Sequence, residues 1–159
     1  MINETGAWLI IGFPLISFLI AGAIIRPFFN KYAFVAGYLT ILSVAASLVL
    51  SVFAFISVGK EGGNVPFDSH EWLSFPGLEI PFGILLDPLT AVMLITVAGV
   101  SLLVQIYSYG YMHGDRGFAK YYAFMSLFTA SMLGLVLSRG VIQLYAFWEL
   151  VGLSSYLLI

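Results

Sequence analysis

Leu89-Thr90-Ala91-Val92-Met93-Leu94-Ile95-Thr96-Val97-Ala98-Gly99-Val100-Ser101-Leu102-Leu103-Val104-Gln105-Ile106-Tyr107 carries no charged residue. It is interrupted only by mild polar side chains such as Ser101 and Gln105. A hydrocarbon core of about 30 Å is crossed by about 20 mostly apolar residues of helix, so this run has the length of a membrane span. Working outward, Phe118 to Leu137 and Val141 to Ile159 repeat the pattern on one side, the last still apolar where the sequence stops. On the other side lie Trp8 to Ile25, closed by Arg26-Pro27, and Tyr32 to Val58, closed by Gly59-Lys60-Glu61-Gly62-Gly63. In lipid every backbone amide needs an internal partner, which favours helices over an open sheet. The reading is an all-α polytopic membrane protein, one unit over 1–159, with helices at about 8–25, 32–58, 89–107, 118–137 and 141–159.

Composition agrees. Hydrophobic residues make up 61% of the 159 and charged residues 9%, where a soluble domain is about one quarter charged. An aromatic content of 16% argues against disorder. Zero cysteines exclude disulfides, thiolate metal sites and a cysteine nucleophile. A net charge of −2, without a basic tract, gives nucleic acid nothing to hold.

The ends of the runs carry local chemistry. Asp87-Pro88 opens the third helix, aspartate capping free amides and proline losing no bond at the first helical position. Asp115 is expected to act similarly before the fourth. Ser138-Arg139-Gly140 is a tight polar break that predicts an antiparallel hairpin of helices four and five. Met1-Ile2-Asn3-Glu4-Thr5 has an acid and no base before the first apolar run, unlike a secretory signal. Lysine and arginine fall as Arg26, Lys31, Arg116 and Lys120 on one side against Lys60 and Arg139 on the other. This places loops one–two and three–four on the negative side, and the N-terminus with segment 59–87 on the positive side. That segment is acidic, and Glu71 to Phe75 and Leu78 to Phe82 alternate around Pro76-Gly77. It reads as a short surface hairpin, or else an irregular acidic cap.

Glu149 stands out as a candidate for chemistry. It lies about 12 Å into the fifth helix at 1.5 Å per residue. A carboxylate at that depth is costly to ionise unless paired or beside water, which suits it to taking and releasing a proton. The bland alternative is a structural hydrogen bond to a neighbouring helix. Tyr145 and Gly152 lie one turn either side of Glu149, and Tyr156 two turns on. The two tyrosines are candidate relay groups, or simply packing residues, and Gly152 admits a close helix. Ser154 and Ser155 face elsewhere. No lysine or arginine inside the five helices is placed to pair with Glu149. Lys120 reads as a snorkelling anchor. His70 and His113 lie too far apart to form a metal-ligand pair. No glycine-rich phosphate loop is present.

Three stretches carry a resemblance: Leu86-Asp87-Pro88-Leu89-Thr90; Tyr107-Ser108-Tyr109-Gly110-Tyr111-Met112 with Asp115; and Phe147-Trp148-Glu149-Leu150-Val151-Gly152-Leu153-Ser154-Ser155-Tyr156-Leu157-Leu158-Ile159. They resemble the antiporter-like L subunit (NADH dehydrogenase subunit 5) of proton-pumping NADH:quinone oxidoreductase, respiratory complex I. The resemblance runs from about Asp87 to the end, and the first two helices are similar only in pattern. It implies that Glu149 is the fifth-helix glutamate used in proton translocation, which pairs in that family with a lysine on a later helix. It also implies that this is an N-terminal fragment or a truncated product. NAD(H), flavin, iron–sulfur clusters and quinone would sit on partner subunits, with no cofactor in this chain. Its partners would be other membrane subunits of complex I, above all neighbouring antiporter-like subunits, and the lipid bilayer. The bacterial cytoplasmic membrane is the expected location, with mitochondrial inner and thylakoid membranes as alternatives. Rival readings are a subunit of a multisubunit sodium/proton antiporter or membrane-bound hydrogenase, and a non-catalytic scaffold or truncated remnant.

Overall fold

The computed structural model describes residues 2–26, 33–65, 67, 70–75 and 78–159. Among the described residues, five helices are long and apolar enough to cross a membrane. Helix α1 (Glu4–Leu19) continues into a π-helical segment (Ile20–Ile25). Helix α2 (Ala33–Lys60) follows, then strands β1 (His70–Phe75) and β2 (Leu78–Phe82). The remaining helices are α3 (Pro88–Tyr111), α4 (Phe118–Leu137) and α5 (Val141–Leu158). The chain is an integral membrane protein.

Helix α4 is the axis of the bundle. It packs against all four other helices, and 61% of its span is buried. Its small residues Ala119, Ala123, Ala130 and Gly134 let neighbours approach. Gly37 of α2 is a second close approach, since a Cβ there would lie 3.1 Å from the Phe118 ring. Helix α5 sits outside, against α4, with 11% of its span buried.

Several helices run beyond their apolar stretches, because the local cap decides where a helix starts. Asn3 caps α1 through a 2.8 Å bond from the Gly6 amide to its Oδ1, so α1 begins four residues before Trp8. Asp87 caps α3 as expected, accepting from the Thr90 amide at 2.7 Å with Pro88 in the first turn. Asp115 differs. It accepts from the Gly117 amide at 2.6 Å and closes a turn, while Gly117 occupies the capping position of α4. An aspartate bonding two residues ahead makes a local turn instead of a helix start.

The segment between α2 and α3 contains the hairpin. Its strands pair antiparallel from His70↔Phe82 to Phe75↔Leu78, with an irregularity between Glu71 and Leu73. The expected turn at Pro76-Gly77 lies outside the described residues, as do Lys31 and Tyr32. The segment is fastened to one end of the bundle. Val65 bridges Leu86, Ile84 bridges Ser138, and the Leu85 amide donates to the Leu137 carbonyl at 3.0 Å. Trp8 of α1 stacks on Phe82 with centroids 5.4 Å apart.

Inside the bundle the decisive event is Pro14. Proline has no N–H, so the carbonyl of Ile10, four residues back, loses its helical donor. Ser47 of α2 supplies one, its hydroxyl donating to the Ile10 carbonyl at 2.8 Å. The Pro14 carbonyl accepts from Ser17 at 2.9 Å and from Ser126 of α4 at 2.7 Å. Ser43 of α2 donates to Ser17 at 2.9 Å. Ser47→Ala should cost about 1 kcal/mol by orphaning that carbonyl. In a Pro14→Ala background the restored amide serves Ile10, and the cost of Ser47→Ala should shrink toward zero. Thermal unfolding of the assembled protein in a double-mutant cycle measures this coupling.

Candidate functional site

The candidate site lies on α5, whose position follows from its seam with α4. The turn Ser138-Arg139-Gly140 reverses the chain as the sequence predicts, with Ser138 ending α4 and Gly140 preceding α5. At the seam, Gly134 of α4 receives the ring of Phe147. A Cβ on Gly134 would lie 2.3 Å from that ring, closer than any real contact. Gln143, one turn before Phe147, is buried, and its Oε1 accepts from the Gly83 amide at 3.2 Å. Arg139 donates to the Phe67 carbonyl at 3.1 Å. The surface segment therefore holds the start of α5.

These contacts turn the opposite face of α5 outward. Glu149 is exposed within this chain, as are Tyr145, Trp148, Gly152 and Tyr156. Glu149 lies eight residues beyond Val141, in the middle of α5. Enclosure by protein is not provided by the four other helices. Tyr145 lies one turn before Glu149, and the two side chains share the exposed face of α5 within electrostatic reach of one another. Tyr145 also packs against Trp148, with centroids 6.2 Å apart. Nothing lies within 4 Å of a Cβ placed on Gly152, so the stripe leading to Tyr156 is open. Ser154 turns inward and donates to the Val151 carbonyl at 2.9 Å. Helix α5 itself contains no basic residue.

The remaining candidates separate from this site. Lys120 is exposed in the first turn of α4, its ammonium 5.7 Å from the Phe124 centroid, in keeping with an anchor. His113 lies in the α3–α4 turn and His70 on β1. No group of three or more metal-ligating side chains occurs among the described residues. Gln143 and Gly134 escaped the sequence reading. A glutamine in the first turn of an apolar run was a visible signal for the first. A glycine inside a span signals only that some neighbour comes close.

The family model for the complex I chain 5 N-terminus of NADH-ubiquinone oxidoreductase matches residues 72–122. NADH-quinone oxidoreductase subunit L of Neisseria meningitidis serogroup B is 43% identical over 162 aligned residues, covering 99% of this chain and 23% of that protein. NAD(P)H-quinone oxidoreductase subunit 5 of the Anthoceros angustus chloroplast is 41% identical, covering 96% of this chain and 21% of its own length. The chain belongs to the subunit 5 (subunit L) family. It matches the family's N-terminal part and spans less than a quarter of the length of these relatives. Among solved structures, a chain of the Mrp complex from Dietzia sp. DQ12-45-1b is similar at 30% identity and TM-score 0.66, over 95% of this chain and 15% of that one. A chain of the archaeal membrane-bound sulfane sulfur reductase shares the fold at TM-score 0.74 and 16% identity, over 97% and 30% respectively.

The α4–α5 seam is sterically tight. Gly134→Ala should displace α5 and cost about 1–3 kcal/mol by overpacking. The smaller Phe147→Leu in the same chain should recover part of that loss. Thermal stability of the assembled protein measures both.

Proposed function

We propose that this chain is part of a proton-translocating membrane subunit of a complex I type NADH:quinone oxidoreductase, with Glu149 as its protonatable site. The observation that carries the reading is the position of Glu149. A carboxyl group stands mid-helix in a membrane span, on the helix that is least covered among the described spans. A group there is stable when neutral, paired or hydrated, and each condition can be altered by what packs on that face. Family membership supports the same role, since the relatives are subunits of NAD(P)H-quinone oxidoreductases.

The chemistry assigned to this chain is limited to the proton. Tyr145, one turn before Glu149 on the same face, is a candidate relay group for it. Tyr156, two turns further on, is a candidate for the onward path. A basic partner contributed from beyond these five helices would favour the charged form at short range and release it at longer range. Such a change of separation, driven by quinone reduction elsewhere in the complex, would load and unload Glu149. NAD(H), flavin, iron–sulfur clusters and quinone would belong to partner subunits, and neighbouring antiporter-like subunits would be the membrane partners. Resemblance at 30% identity to a chain of the Mrp complex favours a second reading. In it the same carboxyl group serves an antiporter-type complex with no redox partner.

In the complete, assembled complex, Glu149→Gln should leave assembly intact and reduce proton transport severalfold, with Glu149→Asp retaining part of it. Tyr145→Phe should have a smaller effect. Proton uptake into sealed vesicles, driven by NADH and quinone, measures these changes. Undiminished transport in Glu149→Gln leaves Glu149 with a structural role. Transport driven by a sodium gradient and indifferent to NADH selects the antiporter reading.

A further inference from the structure

A second polar feature lies inside the bundle, in the seam between α3 and α4. Ser101, Gln105 and Ser108 occupy positions i, i+4 and i+7 of α3, one stripe with steps of about 6 and 4.5 Å along the axis. Ser101 is hydrogen-bonded to Thr129 of α4. Ser108 is bonded to the Tyr121 hydroxyl at 2.7 Å. Between them, the Tyr122 hydroxyl donates to the Gln105 backbone carbonyl at 2.7 Å. The Gln105 side chain is 0% exposed, and neither its Nε2 nor its Oε1 has a hydrogen-bond partner in the protein.

A carboxamide offers two N–H donors and an oxygen with two lone pairs. Buried in a membrane-spanning bundle, it has no bulk solvent to satisfy them, and buried polar groups in folded proteins are almost always paired. The hydroxyl groups on the same stripe and across the seam are matched to a small molecule that both donates and accepts. Tyr122 has given its proton to the Gln105 carbonyl and keeps its lone pairs. Thr129 gives its proton to the Met125 carbonyl at 2.9 Å, so Ser101 donates to Thr129 and its own oxygen is free to accept. The Ser108–Tyr121 pair uses one of its two hydroxyl protons and has one to spare.

We propose that the Gln105 carboxamide anchors an internal water molecule in the α3–α4 seam, held between the Ser101–Thr129 and Ser108–Tyr121 pairs. Water is the ligand because it supplies two donors and two acceptors in the smallest volume, and a buried water makes about three such bonds. The site is separate from Glu149, and the water bridges α3 to α4 where no direct side-chain bond satisfies the amide.

The test uses the complete complex in lipid nanodiscs. A density map that resolves internal waters should contain a peak within hydrogen-bonding distance of the Gln105 amide and at least one flanking hydroxyl. An amide paired directly with a protein group, a peak with the coordination of a metal cation, or no peak while other buried waters are visible overturns the proposal. Radiolytic labelling in oxygen-18 water gives a second readout. Label on Tyr122 should fall roughly threefold or more in Gln105→Leu, as the local water is lost, while label on Trp8 is unchanged. Equal Tyr122 labelling in both proteins also overturns it. If Gln105→Leu does not assemble, the wild-type map alone decides.

Discussion

The structure depends on how one missing hydrogen is replaced. Pro14 deprives the Ile10 carbonyl of its helical donor in a setting where water is absent, and Ser47 of α2 fills the gap. The Pro14 carbonyl in turn draws Ser126 of α4 against α1. A break in one helix thereby becomes the joint of three. Ser17 and Ser43 extend the joint, and just beyond it α1 relaxes into its π-helical segment. In hydrocarbon, apolar side chains gain little by choosing protein over lipid. Close packing and these few directed bonds set the arrangement of α1, α2 and α4.

The spans were legible because the bilayer imposes a length and forbids charge, and the apolar runs obey both. Asp87-Pro88 was legible as a start signal, and the alternation of Glu71 to Phe75 as a strand. Asp115 misled because aspartate serves turns and caps equally well. The early start of α1 was hidden because Asn3 caps from outside the apolar run. Gln105 passed as a mild polar interruption, and only the assembled bundle exposes its lack of a partner. The answer of Ser47 to Pro14 joins positions far apart in the chain, which local patterning does not encode.

Glu149 illustrates the same divide. Its chemical type, its position along the helix and its neighbours one turn away follow from helical spacing alone. The side it faces does not. In a soluble helix a polar stripe points to water, but a span that is apolar all round gives no such bearing. The direction comes from the fit of Phe147 on Gly134 and from Gln143 gripping Gly83. Both contacts turn the carboxyl group away from the first four helices.

That tethering has a mechanical corollary. Helix α5 is moored at its first turns by the surface segment and by Phe147. Its last residues, by contrast, border a cavity of about 160 Å³ beside Lys120 and Tyr121. Glu149 stands two residues beyond Phe147, about 3 Å along the axis, whereas Leu158 stands about 16 Å beyond it. The acid therefore keeps close to the fixed line of the α4–α5 seam, and its surroundings are set by whatever packs on the open face rather than by its own helix.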